Sequence, residues 1–438
     1  MRMYDCIIVG GGPAGYSAAI RAGQLGMRTV LIERASVGGM CLNWGCVPAR
    51  GMLESAKMLR TIRSASEFGI EFSQDAGFSF SWKKAAARTK KISKQLTDTI
   101  DRLLSKYAVE VLEGTAAITG PGLVSVNNRA LEARQIIIAT GSRPGTLPRA
   151  VVDAAGGTDS VIELPKLFTE HRFPDNITVY GAGPVAIEVS ELFALLGKKV
   201  HLLLEQEDIL PGFDEVLINA VLRQLSDYSI TLGKHPPAKA DLVINCSLRK
   251  PVVPEMKVQC IADEDGFLAV DRWCRTSIEG IYAAGDVTGK SYLAQPASIQ
   301  GATAVNHIAG IRPDEDPFFY PLTLYGVPEI AQAGMTESEI RNEKIAYTTA
   351  TYSFGVNGKA LAEGDTEGFV RILYEELFGE VLGVQIAGSR ATDMIAEALA
   401  VIRAEGTVYD LSTIVHAHPA SSELFIDAHR EEHEKEQG

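Results

Sequence analysis

Two stretches of this chain follow one plan at a constant offset of 171 positions. Cys6 to Glu33 reads as an apolar strand (CIIVG), a glycine turn (GGPAG), an alanine-rich helix and a second strand (TVLIE). Ile177 to Glu205 repeats the plan as ITVYG, AGPVA, a helix through Leu196, and KVHLLLE. The offset aligns Gly10 with Gly181, Gly12 with Gly183, Gly15 with Ala186 and Gly26 with Gly197. In such a strand–helix–strand unit the first glycine makes a tight turn. The second lets backbone N–H groups approach a pyrophosphate at the helix N-terminus, and the third position needs only a small residue, so alanine suffices at 186. One pattern of this kind is weak evidence; two in register commit the chain to an α/β fold with two Rossmann-like dinucleotide-binding domains.

The two copies differ at the residue that would hold a ribose. Glu33 lies 23 positions after Gly10, where an acid can accept a hydrogen bond from the 2′-hydroxyl. At the matching point the second copy has Leu204, with Glu205 one residue late. A one-residue slip along an extended strand turns a side chain to the opposite face. Either the strand ends early and Glu205 swings in, or this second site is impaired. No arginine follows Val200 to receive a 2′-phosphate, which favours NAD over NADP.

At 438 residues the chain exceeds one hydrophobic core, and its length suggests about three domains. Hydrophobic content of 46% and charge of 22% are those of an ordinary soluble globular protein. A net charge of −13 argues against a nucleic-acid surface, which needs a basic footprint. The amino terminus runs straight into the first strand without the pattern of a signal peptide, and no apolar run is long enough to span a bilayer, so the expected compartment is the cytoplasm. The tail from His429 to Gly438 reads as a solvated or frayed end. Six cysteines are too sparse for a secreted disulfide framework, which leaves any disulfide catalytic. No metal site is expected, and Cys6, Cys246, Cys260 and Cys274 read as inert.

The other two cysteines are different. Cys41 and Cys46 stand in Gly39-Met40-Cys41-Leu42-Asn43-Trp44-Gly45-Cys46-Val47-Pro48, soon after the first fingerprint. On an ideal helix their side chains would point roughly 140° apart, whereas a disulfide needs Cα atoms within ~7 Å. Gly45 can supply the necessary distortion, and a strained bond beside a cofactor is the kind that cycles. Elsewhere, QIIIATG (135–141) and IYAAGD (281–286) look like buried parallel strands ending in a glycine turn. Ligands sit beyond the carboxyl ends of such strands, so Asp286 is placed to accept from a cofactor hydroxyl; its competing reading is a helix cap. Lys83 to Tyr107 reads as a long helix with Ile92, Leu96, Ile100, Leu103 and Leu104 on its apolar face and solvated lysines opposite.

Together these motifs resemble the flavin-dependent pyridine nucleotide-disulfide oxidoreductases, over essentially the whole chain. The most specific stretches are GGMCLNWGCVP, ATGSRP at 139–144, GIYAAGDVTG at 280–289, EGFVRIL at 367–373 and HAHPASSE at 416–423. The resemblance, nearest to the dihydrolipoamide-oxidising branch, implies FAD in the first unit, NAD in the second, and a carboxyl-terminal α+β domain that forms a homodimer. It implies an FAD domain over 1–147 and 263–312, a nucleotide domain over 148–262 and a dimerisation domain over 313–438. Cys41 would be the interchange thiol, Cys46 the thiol against the flavin, His418 the acid/base and Glu423 the carboxylate orienting it, reaching the disulfide from the other subunit. Gly10, Gly12, Gly15, Glu33, Arg50, Thr140, Gly141, Gly285 and Asp286 would serve FAD. Gly181, Gly183, Glu188 and Glu205 fall on the second unit, with Glu188 matching the glutamate that pairs with the residue at 50. A histidine suits the task because exchange needs a thiolate and an unperturbed imidazole titrates near pH 6.5. His416 matches no catalytic position and reads as packing or surface. The implied cycle runs from a dithiol, of the kind a lipoyl protein carries, through Cys41 and Cys46 to FAD and NAD.

Three departures accompany the resemblance. Arg50 stands where the family usually has lysine, preserving charge but not shape. The region from Leu210 to Asp263 is shorter, which removes strands of a small sheet. Leu204 replaces the ribose acid. The last two raise a rival expectation, in which NAD binding is weak or lost and another protein exchanges the electrons. A third reading, an FAD-binding electron-transfer subunit without turnover, leaves Cys41, Cys46, His418 and Glu423 without a purpose. Glutathione reduction is disfavoured because the second unit lacks basic residues for NADPH, and mercuric reduction because no cysteine follows Cys274.

Overall fold

The computed structural model describes residues 3–72, 77–170, 173–312 and 316–426. The charged tail at 429–438 and the expected domain start at Pro313 lie outside these residues. The chain divides into two compact units, one from within 1–153, 157–173 and 247–318, the other from Ala154–Gly156, Pro174–Cys246 and Phe319 onward.

In the first unit five parallel strands run in the order Glu110–Glu113, Thr29–Glu33, Tyr4–Val9, Arg129–Ile138, Ile281–Ala283. The crossover between Tyr4–Val9 and Thr29–Glu33 is the helix Pro13–Gln24, capped by Gly12 and started by a proline whose missing N–H costs nothing there. Cys6, Ile8, Leu31 and Ile137 pack with Ala18, Ala22, Leu104 and Val305 into one buried cluster, as expected of a sheet covered on this face by helices. The helix Pro13–Gln24 lies close against Ala294–Ile308, and a Cβ added at Gly301 would meet the Ala14 carbonyl oxygen at 2.1 Å. The amino-terminal half of Arg129–Ile138 leaves the parallel sheet to pair antiparallel with Leu123–Val126, which pairs with Ala116–Gly120.

The long helix spans Trp82–Lys106, with Ser81 accepting from the Lys84 amide as its cap. Its buried face differs from the expected one. Ile100 and Leu104 are buried, but the rest of that face is Trp82, Ala85, Ala86, Thr89 and Ser93, and Leu96 is 40% exposed. Close packing explains the difference: a Cβ on Gly51 of the neighbouring helix would come within 2.4 Å of Thr89 Cγ2, so only small side chains fit at this contact.

In the second unit four parallel strands run in the order Thr231–Gly233, Lys199–Leu203, Asn176–Tyr180, Val243–Asn245. The helix Pro184–Leu195 is the second copy of the crossover. The core strands of the repeat are therefore present, and residues 234–242, between two of them, contain no strand. The same unit holds an antiparallel sheet, Leu322–Leu324, Glu329–Gly334, Val381–Gly388, Phe369–Glu375, Tyr347–Ser353, covered by the helix Ala391–Arg403. Ile372, Val384, Ile386, Phe354, Ile395, Leu424 and Phe425 form its core, which ties the end of the described chain to the sheet. Among the described residues no helix is long and apolar enough to cross a membrane.

The glycine turn is the least tolerant point of the first unit. Gly10 sits at φ +104°, and a Cβ on Gly15 would lie 1.7 Å from the Gly10 carbonyl oxygen. Gly15→Val is expected to lower unfolding stability by about 2 kcal/mol or more through overpacking, measured by denaturant titration. Unchanged stability would contradict the close approach described here.

Candidate active site

The Cys41–Cys46 segment owes its geometry to a helix that stops and restarts. Gly38, at φ +97°, opens a short helix, Gly39–Asn43, whose last residue ties it down by donating from Nδ2 to the Val37 and Gly39 carbonyls. Trp44 and Gly45 leave helical geometry, and a new helix begins at Cys46 and runs to Arg63. Cys41 is half-buried and Cys46 exposed, and the two side chains are hydrogen-bonded to each other. That bond from Cys46 holds the Cys41 thiol below its ordinary range, against the opposing effects of burial and the charge of Asp286. Burial pushes Cys274 up to about 12 and raises Cys6 further. Tyr16, which sequence reasoning did not single out, has its hydroxyl raised by burial and then by the charge of Cys41. Its signal was its position directly after Gly15, on the first turn of the nucleotide helix.

Around the first glycine turn the residues suit a dinucleotide. A Cβ at Gly12 or Gly141 would meet nothing within 4 Å, so backbone faces open space at both points. Glu33, at the end of its strand, accepts from the Gly11 amide at 2.6 Å and from the Ala35 amide at 2.8 Å. The buried Thr140 hydroxyl has no partner among the described residues. Gly285 donates its amide to Gln300 Oε1 at 2.8 Å, and the buried Gln300 Nε2 has none. A carboxylate beside an open amide turn, with orphaned polar atoms at the same sheet edge, is a donor set that fits FAD.

Asp286 is not a simple helix cap. It opens a single 3-10 turn and accepts from the Ser142 hydroxyl at 2.5 Å, while Arg249 Nε lies 3.4 Å from the same carboxylate oxygen. Arg249 also donates from Nε to Ser142 Oγ at 2.5 Å and from Nη2 to the Ser142 carbonyl at 2.7 Å. Burial raises the Asp286 carboxyl despite this arginine. Burial likewise lowers the Arg249 guanidinium, with the charges of Asp286 and Cys46 pulling it back up. Sequence reasoning found Asp286 and missed Arg249, which stands in no glycine or cysteine motif. Arg50 pairs within its own helix with Glu54 at 3.4 Å.

In the second unit Gly181 adopts φ +152°, and a Cβ at Gly183 would meet nothing within 4 Å. The strand that precedes Glu205 ends at Leu203, where the Leu204 amide bonds to the Gly233 carbonyl. Glu205 lies near Tyr180, whose hydroxyl is raised by burial and then by that charge. Glu205 is thus the second residue beyond the end of that strand. Glu188 accepts from the Tyr325 amide at 3.0 Å.

Also in the second unit, His418 Nδ1 lies 2.8 Å from Glu423 Oε1, and Glu423 Oε2 accepts from the Ala420 amide at 2.8 Å. That amide first, then His418, holds the Glu423 carboxyl below its usual range. With Nδ1–H donated to the carboxylate, Nε2 is left as the proton acceptor, and the His418 side chain is 81% exposed. The rival His416 is packed rather than on the surface: its side chain is 6% exposed, with Nε2 on Glu397 Oε1 at 2.7 Å. No group of three or more candidate metal ligands occurs among the described residues.

The thiol environments predict an order of reactivity. At pH 8 a limiting alkylating agent is expected to label Cys41 and Cys46 well before Cys6 and Cys274, read by peptide mass mapping. Equal labelling would mean that burial does not control these thiols.

Comparison with known proteins agrees with this arrangement. The family model described as pyridine nucleotide-disulphide oxidoreductase matches residues 4–236 and 231–301, and the model of that family's dimerisation domain matches 320–429. A dihydrolipoyl dehydrogenase of Bacillus subtilis (strain 168) is 32% identical over 466 residues, covering 97% of each chain. One from Chlorobaculum parvum is 32% identical over 460 residues, covering 97% of this chain and 96% of its own. In fold the chain is similar to LpdA from Mycobacterium tuberculosis, with a TM-score of 0.87 at 24% identity over 97% of this chain and 99% of that one. It is likewise similar to the HOCl-induced flavoprotein disulfide reductase RclA from Escherichia coli, with a TM-score of 0.84 at 21% identity over 97% and 99%. With matches on this scale, the chain belongs to the pyridine nucleotide-disulphide oxidoreductase family.

Proposed function

We propose that this chain is an FAD-dependent, NAD-linked disulfide oxidoreductase of the dihydrolipoyl dehydrogenase type, which oxidises a lipoyl-like dithiol through Cys41 and Cys46. The observation that carries this reading is the Cys41–Cys46 pair brought into hydrogen-bond contact where the helix breaks, beside the first nucleotide-binding turn, where a Cβ on Gly39 would lie 2.7 Å from Gly12 Cα. The matching dimerisation domain supports a homodimer, and a lipoyl-carrying protein is the proposed source of the dithiol. The cytoplasm, where thiols are kept reduced, is the proposed compartment.

The residues divide the work as follows. With Cys41 and Cys46 oxidised to a disulfide, His418 Nε2 takes a proton from one thiol of the substrate. The resulting thiolate attacks Cys41 Sγ, the Cys41–Cys46 bond breaks, and Cys46 leaves as a thiolate. The second substrate thiol then attacks the substrate sulfur of the mixed disulfide; that bond breaks, the departing Cys41 sulfur takes up the second thiol's proton, and the substrate leaves as a cyclic disulfide. Two electrons have then moved from substrate to the Cys41–Cys46 dithiol. Glu423 keeps His418 in the tautomer that leaves Nε2 free and stabilises the imidazolium while it holds the proton. Gly10, Gly12, Gly15, Glu33, Thr140, Gly141, Gly285 and Asp286 would hold FAD, which when bound supplies a two-electron acceptor for the dithiol and a hydride donor for NAD. Gly181, Gly183 and Glu205 would hold the nicotinamide nucleotide, and Arg50 and Glu188 would flank the cofactors.

Cys41→Ser and Cys46→Ser are expected to abolish oxidation of dihydrolipoamide by the holoenzyme, and His418→Ala to slow it by about 10²- to 10⁴-fold. Full turnover in these variants would overturn the assignment. NADH is expected to bleach the flavin rapidly in anaerobic stopped-flow, with NADPH much slower. Failure of NADH to bleach it would favour the rival in which another protein supplies the electrons, a reading prompted by Leu204 and the strandless stretch 234–242.

A further inference from the structure

The loop that carries His418 and Glu423 is held from a point far away in sequence. Asn357 is 4% exposed and immediately precedes the helix Gly358–Glu363. Its Oδ1 accepts from the Lys359 and Ala360 amides at 3.1 and 3.0 Å, which caps that helix. Its Nδ2 donates to the Ala420 carbonyl at 3.0 Å, across 63 residues of chain. Ala420 is the residue whose amide donates to Glu423 Oε2, and Glu423 Oε1 in turn faces His418 Nδ1. An unbroken series of hydrogen bonds thus runs from Asn357 through both sides of Ala420 to the carboxylate and the imidazole.

We propose that Asn357 is a positioning residue for dithiol oxidation, acting through Ala420 to hold Glu423 and His418 in the geometry that leaves Nε2 as the base. The inference rests on the function proposed above. The side chain's two ends have separate tasks. The carbonyl end completes a helix cap that serine or aspartate would complete as well. The amide end is the donor that fixes the loop, and neither replacement supplies it: serine is too short to cap and reach Ala420 together, and a carboxylate oxygen would face a carbonyl oxygen. Phe354, fully buried three residues earlier, opens the single 3-10 turn Phe354–Val356 that leads into Asn357, so the donor is itself held by the core. A base oriented by a third group loses efficiency steeply when that orientation slackens, because a displacement of about 1 Å can cost on the order of a hundredfold in rate.

The test uses FAD-loaded holoenzyme carrying Asn357→Asp or Asn357→Ser, with His418→Ala and wild type alongside. Three readouts are taken: flavin reduction by dihydrolipoamide, flavin reduction by NADH, and melting temperature. Both Asn357 variants are expected to slow the dithiol half-reaction by on the order of ten- to a hundredfold, with kcat falling more than KM rises. NADH reduction and melting temperature should stay near wild type, because the cap is preserved and electron entry from NADH does not use this loop. The proposal is overturned if both variants keep the dithiol rate within about twofold of wild type while His418→Ala loses it. It is also overturned if the NADH rate and the melting temperature fall in parallel with the dithiol rate, which would make Asn357 a structural residue only. If His418→Ala itself keeps full dithiol turnover, the functional reading has failed, and with it the role assigned here.

Discussion

An interruption of helical geometry at Trp44 and Gly45 is the constraint on which the chemistry of this chain turns. Left unbroken, a helix from Gly39 onward would direct Cys41 and Cys46 to faces roughly 140° apart. Because one helix stops at Asn43 and another starts at Cys46, the two sulfurs meet, and the thiol of one can donate to the thiolate of the other. Gly45 suits the break, since any larger residue would crowd Met40, whose side chain and carbonyl would lie 3.0 Å from an added Cβ. The sulfur chemistry therefore depends on a backbone feature, and the hydrogen bond that acidifies Cys41 is its direct product.

The electrostatics around that break are balanced rather than uniformly favourable. Burial and the negative Asp286 both oppose a Cys41 thiolate, and the Cys46 hydrogen bond outweighs them. Asp286 would itself resist ionisation at its depth, but Ser142 donates to it and Arg249 stands beside it. A half-satisfied cluster of this kind would be destabilising. Here Arg249 Nε and Nη2 donate to the Ser142 hydroxyl and carbonyl, and that hydroxyl donates to Asp286, so the group reads as one network rather than an isolated buried pair. The His418–Glu423 pair follows the opposite design: an exposed imidazole steered by a carboxylate whose other oxygen is tied to backbone.

Much of this was legible from residues alone. The two glycine turns, the strands on either side and the cysteine pair sit where local chemistry demands them, because a turn at positive φ and a close helix–strand approach accept few residue types. Other features were not legible. Leu96 has the right spacing for a buried position, yet it faces solvent because its helix packs through alanine, threonine and serine against Gly51. Arg249 and Asn357 lie outside any motif, and their roles come from partners 107 and 63 residues away. The slip from Leu204 to Glu205 leaves two outcomes open in one dimension, and the fold places Glu205 two residues past the end of its strand at Leu203.

The sequence by itself determined the repeated nucleotide-binding plan and the placing of Cys41 and Cys46 just after its first turn, while the resemblance to a known family pointed to His418 and Glu423; each of these signals is contained in a short stretch of chain. Tertiary structure alone decided which hydrogen bonds reach those groups: Arg249 through Ser142 to Asp286, and Asn357 through Ala420 to Glu423. The physical reason is that a hydrogen bond is directional over about 3 Å. No spacing along the chain encodes contacts made between segments that only folding brings together.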